Sequence, residues 1–197
     1  IIQNTPVKRD QDHLHVIIDA NPQVPDRTKA ILGQGESPLP DIVRTALRLE
    51  ASGVTLGVIP CMTSHYYFDA IQKAVQYPIL NILEEIALGT EVMGIKKIGI
   101  LATTGSVQTK LYDRYLKEVD CLYPDAATQE YMVMEAIYGS EGVKQKGSTL
   151  FALEKLKHAS KMLVDQGAEA ILMGCTEVGL VLTQKELDVP LIDPLDL

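Results

Sequence analysis

Two cysteines stand at the same place in two copies of one sequence pattern. Residues 49–61 and 163–175 each run from a helix-like stretch through Gly53 or Gly167 into an apolar run. That run is Leu56-Gly57-Val58-Ile59-Pro60 in one copy and Ala170-Ile171-Leu172-Met173-Gly174 in the other, and it ends in Cys61 or Cys175. Each glycine precedes its cysteine by eight residues, and the cysteines lie 114 residues apart. Thr63 and Thr176 come soon after, and further on lie Tyr77-Pro78-Ile79-Leu80 and Val189-Pro190-Leu191-Ile192. A free thiol has a pKa of about 8.5, and a helix N-terminus favours its thiolate. Two like groups facing each other across a cleft suit a reaction that needs a base on one face of a flat intermediate and an acid on the other. Inversion at carbon is such a reaction. One thiolate takes the proton, the opposing thiol returns one, and the roles exchange for the mirror-image substrate. The resting pair then shares one proton in a coupled titration. Cys121, beside Leu122 and Tyr123 with no partner motif, reads as a small buried hydrophobe.

The surrounding pattern supplies elements that could hold two such sulfurs. A β-branched run at residues 14–18 predicts a strand, leading into a long polar connection. Residues 38–51 carry Leu39, Ile42, Val43, Ala46 and Leu47 at the spacing of an amphipathic helix that ends near Gly53. Alternation continues with a strand from Leu56, a helix at 68–76, a strand at 79–82, a helix at 84–93 and a strand at 98–102. Helices are expected over 107–118, 130–138 and 149–166, before the second cysteine strand. Strands that are uniformly apolar and alternate with helices predict an α/β fold with mostly parallel sheets covered on both faces. The repeat divides it into two similar three-layer units, residues 1–93 plus 190–197 and residues 94–189, with a boundary near Gly94 and the last strand returning to the first unit. In open α/β sheets ligands gather at the carboxyl ends of strands, where both cysteines are expected.

Composition narrows the function. The 197 residues are 46% hydrophobic, enough for real cores, and no run approaches the roughly 18 apolar residues of a membrane span. No signal-peptide pattern is visible, so the protein is expected in the cytoplasm. A net charge of −8, with no Lys/Arg block, argues against nucleic acid or acidic membranes as partners. Three cysteines without a Cys-x-x-Cys pair support neither a disulfide framework nor a zinc knuckle. No phosphate-cradling loop or metal-spaced cluster calls for a cofactor.

Several segments resemble one family. Pro60-Cys61-Met62-Thr63-Ser64-His65 is similar to the Pro-Cys-Asn-Thr-x-His motif, and Met173-Gly174-Cys175-Thr176-Glu177-Val178 to the Gly-Cys-Thr-Glu motif, of the cofactor-independent aspartate/glutamate racemases. Residues 21–28, 101–105, 8–13 and 192–194 resemble aspartate racemase segments in particular. The resemblance spans the chain. It implies two pseudo-symmetric α/β domains with the active site in the cleft between them, a homodimer, no cofactor, and a strand and Gly-Gly-Met-Gly loop preceding Ile1. It implies Cys61 and Cys175 as the acid/base thiols acting on an acidic amino acid, with Thr63 and Thr176 holding the α-carboxylate. It implies Arg27 at the side-chain carboxylate, assisted by Lys144, in keeping with the need of an acidic protein for local cations. Thr104 would add an anion-binding donor, Glu177 would tune Cys175, and His13 and His65 would support the site.

One position departs from the motif. Met62 stands where the family has asparagine, and its thioether is only a weak acceptor. If the lost amide bond holds the substrate, its absence costs on the order of 1.5 to 3 kcal/mol, and Met62→Asn is expected to raise activity on aspartate. The leading reading is an aspartate racemase. Glutamate, hydantoin or broad-specificity racemases, or a maleate isomerase with a cysteine nucleophile, remain open within the superfamily. So does a silent amino-acid binder, or a redox switch joining Cys61 to Cys175, which would need Cα atoms within about 7 Å.

Overall fold

The computed structural model describes residues 5–197. A small parallel sheet pairs β1 (Gly57–Val58) with β2 (Ile79–Leu80). A second sheet contains β3 (Lys97–Ala102), β4 (Asp120–Leu122), β5 (Ala170–Gly174) and β6 (Leu191–Ile192), all parallel, in the order β4-β3-β5-β6. The helices are α1 (Arg27–Ile31), α2 (Leu39–Ala51), α3 (Phe68–Lys73), α4 (Ile82–Val92), α5 (Thr104–Gln108), α6 (Ala126–Thr128), α7 (Glu135–Tyr138), α8 (Val143–Lys146), α9 (Leu150–Asp165) and α10 (Thr176–Gly179). A π-helical turn, Gln129–Met134, joins α6 to α7. Among the described residues no helix is long and apolar enough to cross a membrane.

Apart from the exposed Lys97 that opens β3, the central strands are apolar because both faces are covered. Leu101, Ile171 and Met173 pack with Val133, Ala136, Leu156 and Leu163 on one face. Ile98, Ile100, Ala102, Ala170 and Leu172 pack with Ile82, Leu83, Ile86, Leu111 and Tyr112 on the other. In front of the small sheet, α2 lays Leu39, Ile42, Ala46 and Leu49 against Ile71 and Val75, which is the face its helical spacing predicts.

The sequence repeat becomes a repeat of backbone bonds. Both α2 and α9 end in a left-handed glycine, Gly53 at φ +80° and Gly167 at φ +98°. The next N–H groups, of Val54 and Ala168, reach back to the carbonyls of Leu49 (3.4 Å) and Leu163 (3.0 Å). The pairs β1–β2 and β5–β6 then share a register: Gly57 N–H bonds the Pro78 carbonyl and Ile171 N–H the Pro190 carbonyl, each at 2.9 Å. In each copy one glutamine brackets the second strand. Gln72 accepts from Ile79 N–H (2.8 Å) and donates to Tyr77 O (3.0 Å). Gln184 accepts from Leu191 N–H (2.8 Å) and donates to Val189 O (3.0 Å). Asn81 and Asp193 close the strands, their Oδ1 atoms accepting from Leu83 N–H (3.1 Å) and Leu195 N–H (2.9 Å).

Three expectations are corrected. Residues 14–18 form no strand, and Leu14, Val16, Ile17 and Ile18 are exposed. A strand requires a neighbour to bond, and none of the described residues supplies one to this run. The helix expected over 107–118 stops at Gln108. There Lys110 takes a left-handed φ of 49° and Leu111 N–H returns to Ser106 O (3.0 Å), so a lysine does the capping that glycine does elsewhere. The last strand does not join the small sheet. The Pro190 bond places Leu191 and Ile192 beside β5, just as Pro78 places β2 beside β1. Contact with the first segment is kept by side chains, with Ile192 in the core cluster of Ile82, Leu83 and Ile86 and the Leu197 side chain against Gly89 of α4.

Candidate active site

Both cysteines stand at the carboxyl end of a strand, each opening a helical turn. Cys61 is the N-cap of a 3-10 turn, Met62–Tyr67, and Cys175 is the N-cap of the single-turn helix α10. They line one cavity of about 230 Å³. Arg27, Met62, Thr63, Lys144, Thr176 and Glu177 line it too, so eight of the residues singled out in the sequence meet there.

The surroundings of the two sulfurs differ. Cys61 is half-buried and lines the cavity beside Arg27, whose guanidinium it attracts electrostatically. Burial works against the charge of Arg27, but the attraction of Cys61 and of Asp26 outweighs it and holds the pKa up. The same guanidinium donates through Nη1 to the carbonyls of Val24 (3.4 Å) and Pro25 (3.2 Å). Cys175 is buried and donates its thiol proton to Glu177 Oε2 at 2.9 Å. Burial first, and then the negative charge of Glu177, push the Cys175 thiol well up. This reverses the expectation that a helix start activates that sulfur, because a helix of four residues offers little dipole against a half-buried carboxylate at hydrogen-bond distance.

Glu177 is the most connected group in the site. Burial alone would raise its pKa, but the Cys175 thiol, Lys144 and the Thr176 hydroxyl (3.0 Å) all bond its carboxylate, and its pKa is pushed down to about 2. Lys144 reaches it from α8 while lying over the Tyr138 ring, 5.1 Å from the centroid.

On the other wall the Thr63 and Thr103 hydroxyls are 3.0 Å apart, and Ser106 Oγ donates to Thr63 at 3.2 Å. All three are buried, and Thr63 and Thr103 face the cavity. Thr104, the expected donor, does not line it; its hydroxyl accepts from Gln129 Nε2 at 3.3 Å. Thr103 is the N-cap of α5 and Thr104 its first residue, so the two side chains leave the chain from different backbone conformations. His65 lies behind the wall. Its Nδ1 bonds the Cys61 carbonyl (3.1 Å) and its Nε2 accepts from Ile82 N–H (3.4 Å), and burial keeps the ring below its usual pKa. His13, half-buried at the end of the turn Asp10–Asp12, is not among the lining residues. Met62 lines the cavity with a side chain packed among Ile82, Leu83 and Ile86. Cys121 lies apart on β4, and burial lifts its thiol to about 12.

Sequence reasoning missed Thr103, Thr28 and Tyr138, which also line the cavity. The Thr28 hydroxyl is buried with no hydrogen-bond partner among the described residues. Tyr138 carried no signal in the sequence, because the π-helical turn before it shifts its helix out of the regular period. Among the described residues no group of three or more His, Cys, Asp or Glu side chains could hold a metal ion.

Parallel α/β layers with a thiol from each of two matched strands in a common cavity define a paired-thiol α/β protein. The Asp/Glu/Hydantoin racemase family profile matches residues 1–197, and the chain belongs to that family. The structure of the aspartate racemase of Picrophilus torridus superposes with a TM-score of 0.80 at 26% identity, covering 96% of this chain and 78% of that one. The broad specificity amino-acid racemase RacX of Bacillus subtilis (strain 168) is 27% identical over 158 residues, 77% of this chain and 65% of RacX, so the match spans just under two thirds of that relative. A glutamate racemase of Francisella tularensis in complex with D-glutamate shares the fold, with a TM-score of 0.57 at 19% identity, covering 79% of this chain and 60% of that one.

Proposed function

We propose that this chain interconverts L- and D-aspartate, with Cys61 and Cys175 exchanging protons with opposite faces of the α-carbon. The observation that carries this reading is that the two sulfurs line one cavity. In one direction Cys61 removes the α-proton and the Cys175 thiol supplies another from the far side. In the other direction the roles reverse. Removing an α-proton places charge on the carboxylate, so donors fixed before reaction lower the barrier. In this reading Thr63, Thr103 and Thr176, which line the cavity, bind that carboxylate, and Arg27 and Lys144 are the lining cations that can meet a second one. The reaction as proposed uses no cofactor, since both proton carriers are side chains. The division of the chain into two units, its dimeric state and a cytoplasmic setting belong to the same proposal and rest on the family likeness and the sequence.

A second reading is favoured by one feature. Both cations are already engaged, Arg27 with Cys61 and two carbonyls and Lys144 with Glu177. A distal carboxylate must displace one of them, whereas a neutral side chain need not, which favours a broader range of amino acids. Incubation with single enantiomers of aspartate, glutamate and neutral amino acids in deuterated water tests both readings. The first expects optical inversion with solvent deuterium at the α-carbon, fastest for aspartate. The second expects neutral amino acids to match it, and neither survives if no substrate inverts.

A further inference from the structure

The two sulfurs share one cavity, but only Cys175 has a fixed acceptor for its proton, and that acceptor is itself held in place by a cation. We propose that Glu177 is a positioning residue that keeps the single proton of the thiol pair on Cys175 while the site is empty, with Lys144 setting the strength of that hold. The inference rests on the two-thiol reading above and deepens it.

The geometry is a chain of three groups. Lys144 on α8 bonds Glu177 Oε1, and Glu177 Oε2 takes the Cys175 S–H at 2.9 Å and the Thr176 hydroxyl at 3.0 Å. The other ionisable groups acting on Cys175 are Cys61, the Tyr112 phenol beneath it and Tyr138 across the cavity. Tyr112 is committed to the Gly174 carbonyl at 2.7 Å. None of these is a cation in contact with the Cys175 sulfur, whereas Arg27 stands beside Cys61. An ionised carboxylate at hydrogen-bond distance favours S–H over S⁻. Turnover is affected in two ways. The empty protein is set to take the substrate hand whose α-proton faces Cys61. After that turnover the proton sits on Cys61 and Cys175 is left as thiolate, so one proton must pass from Cys61 to Cys175 through solvent before the same hand can react again.

The test is a titration of thiolate ultraviolet absorbance in the full chain carrying Cys61→Ser, so that Cys175 is read without its partner. Adding Glu177→Gln is expected to lower the Cys175 midpoint by about one pH unit or more, a tenfold gain in thiolate at a given pH. Glu177→Asp is expected to keep the original midpoint to within a few tenths of a unit. Lys144→Ala is expected to raise it, because Glu177 loses its counter-charge. Opposite signs for Glu177→Gln and Lys144→Ala distinguish a charge effect from loosened packing, which would move both variants the same way. An unchanged or raised midpoint in Glu177→Gln overturns the proposal, and so does a lowered one in Lys144→Ala. The titration uses no substrate, so its outcome is separate from whether the protein racemises aspartate.

Discussion

The two cysteine strands share a backbone frame and differ in nearly everything that touches the sulfur. In both copies a left-handed glycine ends a helix, a strand runs to the cysteine, a proline carbonyl fixes the register of the next strand, and a glutamine brackets it. Around Cys61 the strand is two residues long, the chain is partly exposed, and the nearest charge is the Arg27 cation. Around Cys175 the strand is five residues long, buried throughout, and the nearest charge is the Glu177 anion. The repeated frame thus fixes where the sulfurs are, and the side chains around them fix what each does at rest. A pair that must hold one proton between two like groups gains a defined starting state from this asymmetry.

The comparison can be broken most directly at the sulfurs themselves. Cys61→Ala and Cys175→Ala are each expected to lower inversion of aspartate at least a thousand-fold, measured by optical rotation. Each variant keeps one thiol, which can take and return a proton on its own face, so each is expected to exchange the α-proton of one hand for deuterium, and the two variants opposite hands. Exchange of the same hand by both would end the idea that the copies face each other.

The residues just after the cysteines differ next most. Met62 is buried in the core, whereas Thr176 is half-exposed. Met62→Asn is therefore expected to cost about 2 to 4 kcal/mol in urea denaturation, from lost packing and a buried amide, while turnover of aspartate per folded molecule rises. Thr176→Ala is expected to cost about 1 kcal/mol or less.

Below pH 4.5 acid sensitivity should be read at Glu177 of the second copy, whereas the buried neutral His65 of the first copy already costs stability as the pH falls through 6.5. The folded pKa of Glu177 is about 2 against an ordinary 4.5, so its contribution is complete above pH 4.5 and is lost as the pH falls from 4.5 towards 2. Across that window the wild type is expected to lose about 2 kcal/mol more than Glu177→Gln, measured by denaturation at each pH. A parallel fall in both proteins would place the acid-sensitive group elsewhere.

The brackets give small effects as well. Gln72→Ala is expected to cost about 1 to 2 kcal/mol, because Gln72 is half-buried, and the exposed Gln184→Ala less than about 1. Equal costs would mean that the two frames are buried more alike than their side chains are.

Much of this was readable before the structure. Spacing alone located α2, α4, α9 and both cysteine strands, because amphipathic periodicity and glycine endings are local signals. The glutamine bracket was not read from the sequence, although Gln72 and Gln184 each stand five residues before a tyrosine or valine that precedes proline. What escaped depended on distant partners or on phase. Residues 14–18 have the composition of a strand, but composition does not provide a neighbour. Lys110 gives no hint of a left-handed turn, since that role is usually glycine's. The motif pointed to Thr104 when its neighbour Thr103 faces the cavity, and Tyr138 is aimed by a π-turn that periodicity does not reveal.

Gly174 carries a lesson about change over time. A methyl group placed there would come within 2.6 Å of the Tyr112 oxygen and 2.8 Å of Ala102 Cβ, so the backbone just ahead of Cys175 passes through a slot with no clearance. Pro60, its counterpart ahead of Cys61, faces solvent. The residue before the sulfur is therefore open to change in the first copy and closed in the second, and the residue after it shows the reverse, with Met62 locked in the core and Thr176 half-exposed.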